Sequence, residues 1–427
     1  MKETLLLFAA LSGFATAAVA QTPSSQNSST VTQETVDKLL AVIAAHEARI
    51  RDLEKRLSAG SPSVPIADPP APAPVQAAVA EQPATHDHSM SLPGGGPDLQ
   101  IRGFADFNLG VGTDANALIF PLGATPHTTF QAGEFDLYIT SKLSPTLTAL
   151  AELVIGSDHT NTWGLDIERL QLTYKPSDYF QISGGRFHTS IGYYNTTFHH
   201  GTWFQTATGR PFMYYFEDSG GILPVHGVGI TSSGLIPKTG KLNLRWTAEV
   251  MNGRSPDPNA AQVSNFLDDK NGKAVNVAVA SRPDWVPGLQ VGGSFYVSHV
   301  YPATIPRVTQ YISSGYAVYT NAQWEFLNEA VLMNNQVAHS DLSYHTPLMY
   351  TQVSRAFGKY RPYFRYQYVN VPTADPISIF NGRYQGPSFG LRMDFATYMA
   401  LKVQYNHLDQ RMVPGSNGLD FQTAFTF

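Results

Sequence analysis

The sequence predicts an all-β chain, a transmembrane antiparallel β-barrel of about 16 strands, preceded by a short periplasmic coiled-coil helix and a Pro-rich linker. Three observations carry this expectation. Only 14% of the 427 residues are charged, against about 25% in a soluble globular protein, and a surface that faces lipid accounts for the deficit. From Asp98 onward, segments of about ten residues alternate apolar with polar side chains, as strands do when one face meets lipid and the other water. Past residue 20 there is no run of about 18 apolar residues, so a membrane would be crossed by strands that pair their backbone groups with one another.

At the N-terminus, Lys2 supplies a positive charge, Leu5 to Val19 is apolar and rich in small residues, and Ala18-Val19-Ala20 has the A-x-A form of a cleavage site. Residues 1–20 are therefore expected to be a secretory signal peptide, cut before Gln21. Residues 21–59 read as a periplasmic spacer and helix. Val36, Leu39, Ile43, Ile50, Leu53 and Leu57 follow spacings of three and four, with His46 in one core slot. Glu34 and Lys38 stand four apart, as do Glu47 and Arg51, which supports a helix. The expectation is an oligomerisation stalk, against a lone amphipathic helix. Residues 60–97, rich in Pro, Ala and Gly, form an extended linker. Its His86-Asp87-His88-Ser89-Met90 holds donors that could capture Cu or Zn. The two histidines are read as incidental to a solvated linker, and no metal or cofactor is assigned.

Residues 98–427 are the barrel. On the first strand Leu99, Ile101, Ala105, Phe107, Leu109 and Val111 share one face, while Gln100, Arg102, Asp106 and Asn108 share the other. The same alternation returns around Leu137, Leu153, Leu172, Trp246, Val291, Phe364, Leu391 and Val403, and again from Leu419 to Phe427. Short turns at Lys142–Pro145, Lys175–Asp178, Pro237–Gly240, Pro283–Gly288, Phe357–Lys359 and Ala396–Thr397 alternate with longer stretches, like the periplasmic turns and extracellular loops of bacterial barrels. One further short turn near Asn321-Ala322-Gln323 is needed to make the strand number even. A soluble sandwich of this size would have fewer charge-free faces.

The longest interruption, residues 190–221, follows the fifth strand and holds His199, His200, Trp203, Arg210, Phe212, Tyr214, Tyr215, Glu217 and Asp218. So aromatic a segment is expected to pack on the barrel mouth or fold into the lumen as a constriction, the alternative being a cap. Arg102, Arg169, Arg245, Arg361, Arg365, Arg392 and Lys402 fall on predicted lumen faces, together with Asp106, Glu134, Asp136, Glu152, Glu249 and Asp394. The candidate pore-lining or constriction residues are Arg102, Asp106, Arg169, Arg210, Glu217, Asp218, Arg361, Arg365 and Arg392. If Glu217 and Asp218 oppose the arginines, a transverse field crosses the lumen and selects among ions. Strict alternation would turn Arg186 to the lipid face, so a bulge at Gly184-Gly185 is expected to redirect it. With Cys 0 there is no thiol nucleophile, disulfide or Cys-based zinc site. No nucleophile motif marks the serines near His188, so an enzyme is not expected, and a net charge of -5 does not point to nucleic acid.

The layout of signal peptide, coiled coil, Pro-rich linker, strands and terminal Phe427 resembles bacterial outer-membrane porins, and the aromatic last strand is similar to their assembly signal. The segment Gly184-Gly185-Arg186-Phe187-His188-Thr189-Ser190-Ile191-Gly192 is similar to a strand-to-loop motif of the phosphate-selective porin O/P group. The lumen faces depart from that group's pattern, since they mix signs and carry no lysine ladder. The resemblance implies passive diffusion of small polar or charged solutes through a homotrimer in outer-membrane lipid, with the third loop folded into the channel. The competing expectation is a structural, adhesive or tethering barrel whose lumen is plugged.

Overall fold

The computed structural model describes residues 98–112, 128–157, 162–198, 201–215, 221–255, 266–268, 272–303, 305–378, 382–411 and 413–427. The expected signal peptide, coiled coil, linker and His86–Met90 lie outside the described residues. The strands are β1 (Asp98–Gly112), β2 (Thr128–Lys142), β3 (Leu147–Ser157), β4 (Trp163–Ser177), β5 (Phe180–His188), β6 (His226–Leu235), β7 (Arg245–Met251) and β8 (Ala274–Ser281). They continue as β9 (Leu289–Val300), β10 (Val308–Thr320), β11 (Trp324–Val337), β12 (Ser343–Arg355), β13 (Tyr360–Val371), β14 (Gly382–Ala396), β15 (Met399–Gln410) and β16 (Val413–Thr426).

Each strand pairs antiparallel with its neighbours in sequence, and β1 pairs with β16 to close a sixteen-stranded barrel. The closing register runs from Phe104 opposite Thr426 to Gly112 opposite Gly418. Beyond it, Gly103 and Phe427 exchange backbone hydrogen bonds of 2.8 and 3.0 Å. The Phe427 ring lies over Gly103, where a Cβ would stand 2.2 Å from the ring. The even strand number depends on the turn expected after Tyr319. There the Asn321 side chain accepts from the Gln323 and Trp324 amides at 2.9 and 2.7 Å, an Asx-type turn.

The faces follow the alternation. Leu165, Leu170, Leu172, Ile230, Val250, Val277, Val279 and Phe389 are exposed on the outside, while Asp106, Asp136, Glu152, Glu249, Arg365, Lys402 and Asp420 are buried on the inside. The register is irregular at five places, two of them in the middle of β1 to β4. The register slips between Ala105 and Phe107 against β2, and between Glu152 and Leu153 against β4. The second slip inserts Glu168, so the outward series passes from Ile167 to Leu170.

The short turns expected from sequence each join an even-numbered strand to the next odd one. The opposite end is less uniform than expected, because only residues 411–412 separate β15 from β16, and β11 and β12 are joined by residues 338–342, closed by a 3.0 Å bond from the Val337 amide to the Leu342 carbonyl. β7 also starts later than the alternation suggests. Gly240–Leu242 form a 3-10 turn and Asn243 takes φ 46°, so extended pairing begins only at Arg245.

If the outside of β8 faces hydrocarbon, Val277→Arg should destabilise the protein folded in lipid vesicles by about 2–4 kcal/mol. The shift of the urea unfolding midpoint of the reconstituted protein measures it.

Candidate functional site

The connection from β5 to β6 spans residues 189–225, and its described residues are held by contacts of their own. Thr189 donates to the Pro224 carbonyl at 2.6 Å, and Asn195 donates to the Thr189 and Val225 carbonyls at 2.9 and 2.8 Å, which ties the neck of the segment. Above the neck lie the short helix α1 (Tyr194–Thr197) and two 3-10 turns, Thr202–Phe204 and Phe212–Tyr214. Gly192 makes the approach to α1 possible. It takes φ 80°, and a Cβ there would fall 1.7 Å from the Tyr214 hydroxyl and 2.4 Å from the Glu329 carboxylate, so both conformation and space require glycine.

The segment is bonded to inward side chains of β1, β7, β11 and β13 to β15. Glu329 on β11 is the centre of this attachment. It accepts from the Tyr193 and Tyr194 amides at 2.6 and 2.9 Å and from the Tyr214 and Tyr350 hydroxyls at 2.8 and 2.6 Å. A buried carboxylate is tolerated when donors satisfy it in this way. Glu249 on β7 accepts from the Ser190 hydroxyl at 2.6 Å, and Glu325 on β11 from the Thr206 hydroxyl at 3.0 Å. From the other side come cations. Arg365 on β13 donates to the Gly209 carbonyl at 2.6 Å. Arg392 on β14 donates to the Trp203 and Gln205 carbonyls at 2.6 and 2.9 Å. Lys402 on β15 donates to the Thr202 and Ala207 carbonyls at 2.6 and 3.2 Å. β7 and β15 stand eight places apart in a ring of sixteen, so a chain bonded to both Glu249 and Lys402 runs from one wall to the opposite one.

Apolar packing accompanies one side of this span. Ile191, Tyr194, Met213, Tyr214, Ile222 and Leu223 of the segment share a buried cluster with inward residues of β7 to β13, among them Tyr296, Ile312, Met333 and Leu348. Arg254, in the β7–β8 connection, adds a tie. Its guanidinium donates to the Ile222 carbonyl at 3.1 Å and to the Gln310 side chain and Ile377 carbonyl at 3.5 Å each. Burial pushes the Tyr193 and Tyr215 phenols up to about 12, so both stay neutral at any ordinary pH.

The residues anticipated from sequence fall into distinct settings. Asp106 accepts from Asn108 at 2.5 Å, from the Glu134 amide at 3.2 Å and from the Thr202 hydroxyl at 3.3 Å. Arg169 is paired with Glu152 at 2.5 Å and lies over the Tyr138 ring. Arg102 is half-buried on β1. Arg361 donates to Ser354 at 3.2 Å near the turn end of β13. Arg365 and Arg392 hold segment carbonyls, and Arg210 donates to the Tyr214 carbonyl of its own segment at 2.6 Å. Glu217 and Asp218, like His199 and His200, lie outside the described residues.

Arg186 is buried. Its Nε donates to the Glu168 carbonyl at 3.1 Å, and its guanidinium stands 3.9 Å from the Glu168 carboxylate. The register across Gly184 and Gly185 is unbroken, which corrects the expectation of a bulge there. Gly185 takes φ 130° instead, and a Cβ would meet the Leu170 carbonyl at 1.9 Å.

Glu325 and Glu329 were not anticipated. Their signal is two acids four residues apart on one face of a strand that also carries Leu327, Val331 and Met333 inward. Buried carboxylates on a largely apolar face need donors, which Tyr350 and Gln352 of β12 supply in part and the segment completes.

No protein-family model matches the chain, and no curated protein matches it in sequence. The resemblance to the phosphate-selective O/P group is therefore limited to the Gly184–Gly192 motif. Solved structures do match over most of the chain. An anion-selective porin from Comamonas acidovorans superposes with a TM-score of 0.55 at 12% identity, covering 78% of this chain and 100% of that one. The outer membrane channel DcaP of Acinetobacter baumannii gives 0.56 at 11% identity, over 78% of this chain and 98% of that one. OmpF of Salmonella typhi, in complex with daunomycin, gives 0.54 at 14% identity, over 78% and 98%. The fold is thus that of bacterial outer-membrane porins and channels.

Removing the Glu329 carboxylate leaves two amides and two phenols without their acceptor. Glu329→Ala should weaken the anchorage by about 3 kcal/mol, so amide exchange at Tyr193 and Tyr194 should accelerate about a hundredfold. Hydrogen-exchange mass spectrometry of the reconstituted protein, with β14 and β15 as the unaffected reference, measures it.

Proposed function

We propose that this chain is an outer-membrane porin that lets small polar or charged solutes diffuse passively through a water-filled lumen narrowed by the 190–221 segment. One observation carries this. The segment crosses between opposite walls, yet interior side chains beside it stay wet. Phe204, whose ring lies 5.0 Å from that of the inward-facing Phe104, is 44% exposed, and the Arg169 side chain is 22% exposed. Solvent therefore reaches the space between the segment and the β1–β4 wall, while the β8–β13 side is packed.

In this reading Arg102, Asp106, Arg169 and Arg361 line the path, and Glu217 and Asp218 are counted with them from the sequence alone. Arg210, Arg365 and Arg392 act through the segment they hold. The protein is a homotrimer in the Gram-negative outer membrane, delivered by a signal peptide at 1–20, with residues 21–59 as a periplasmic stalk. It is a channel and not an enzyme. One neighbouring structure, an outer membrane protein of Vibrio cholerae, is described in a trimer form.

The apolar cluster inside the barrel favours a second reading, a structural barrel whose lumen is plugged. Planar-bilayer recordings separate the two. Purified protein should give discrete open steps, and replacing residues 201–215 by a short Gly/Ser linker should enlarge them. Silence from correctly folded protein would favour the plug.

A further inference from the structure

We propose that the short-turn rim of the barrel binds the phosphate groups of anionic phospholipids, with Arg355 and Lys359 of the β12–β13 hairpin as its main contacts. The inference rests on the barrel spanning a bilayer and not on conduction. It starts from the charge at one end of the molecule. Lys142, Lys175, Lys238, Lys241, Arg282 and Lys359 lie in or beside five of the seven connections that join an even-numbered strand to the next odd one. With Arg245 and Arg355 they make eight exposed cations on this rim, against four acids, Asp98, Asp178, Asp284 and Asp394. Glu325, also near this end, points into the barrel and is buried there. The rim is thus positive on a chain whose net charge is -5. Two of its acids are in ion pairs, Asp178 with Lys175 at 2.9 Å and Asp394 with Arg392 at 2.8 Å. Arg355 and Lys359 have no ion pair among the described residues.

The surroundings of these two cations point to lipid. Leu332, Met349 and Phe326 are exposed along the outside of β11 and β12, and this apolar lane ends at Trp324 and Arg355, which are partners in register. The Arg355 guanidinium stands 4.9 Å from the Trp324 ring and 4.9 Å from the Phe357 ring. Lys359 lies 5.4 Å from the Tyr360 ring. The turn between them is closed by a 2.7 Å bond from the Phe357 amide to the Tyr360 carbonyl, with Gly358 at φ 60°, so one hairpin carries both cations. Phe357 and Tyr360 stay 54% and 44% exposed. Aromatic rings and long cationic side chains settle together where hydrocarbon gives way to headgroups. Stacking uses the flat face of the guanidinium and leaves its N–H edge free, and a phosphate takes that edge in a bidentate pair. A zwitterionic headgroup would bring its own cation beside Lys359, so the rim favours a headgroup with net negative charge.

The test is native mass spectrometry of the purified full-length protein in detergent, titrated with phosphatidylglycerol and with phosphatidylcholine of the same acyl chains. Phosphatidylglycerol should bind in preference. Arg355→Gln and Lys359→Gln should each weaken its binding about fivefold, the contribution of one basic residue near an anionic surface, and should leave phosphatidylcholine binding unchanged. Arg307→Gln removes an exposed cation from the opposite end and should change neither. Circular dichroism checks that each variant keeps its strands, and Lys359→Gln decides alone if Arg355→Gln does not fold. Equal binding of the two lipids, or a preference that the variants retain in full, overturns the inference. So does displacement of phosphatidylglycerol by an equal concentration of inorganic phosphate, which would assign the site to the free ion. None of these outcomes bears on conduction, so the channel reading is decided separately.

Discussion

A backbone amide or carbonyl inside hydrocarbon has no water to bond, so each must find a partner within the protein. The pairing of β1 with β16 meets that demand. Without it both strands would present an open edge to the lipid. The other fourteen strands can be regular, short-turned and apolar outside only because the ladder has no ends. The exchange of hydrogen bonds between Gly103 and Phe427 carries the pairing to the last residue of the chain.

Closure creates an interior, and the interior has to be organised. Here one connection does so by lying across it. Its anchors divide by chemistry. Buried carboxylates on β7 and β11 receive its amides and hydroxyls, whereas cations on β13 to β15 receive its carbonyls. Both satisfy backbone groups that an irregular segment exposes and that would be costly to leave unpaired in a confined space. Charges read as lumen lining from strand alternation are in several cases structural bonds to this segment.

The fold was legible in the sequence wherever one face of a strand is apolar and the other polar. β1, β9, β13, β15 and β16 are of that kind, and Ser294, Gln367 and Gln404 lie buried on the inner faces opposite exposed Phe295, Phe389 and Tyr405. β10 to β12 were not legible by the same rule. Ile312, Leu327, Val331, Met333 and Leu348 point inward there because the segment covers them with its own apolar side chains, so both faces of these strands carry apolar residues. The segment itself was visible from its length and aromatic content. Its attachment to Glu325 and Glu329 was not, because the periodicity of a strand marks which face a residue occupies and says nothing about what fills the space opposite. Arg186 shows the same limit at one residue. Its burial depends on a glycine backbone at φ 130°, a freedom that alternation cannot express.

The seam has a consequence for biogenesis. Thr426 donates to the Gly103 carbonyl across 323 residues of chain, so the first strand must wait for the whole polypeptide before its second neighbour exists. The crossing segment is bonded to Asp106 on one side of that seam and to Lys402 on the other. The crossing segment thus ties together strands on both flanks of the seam, and its full set of bonds exists only once the last strand has docked.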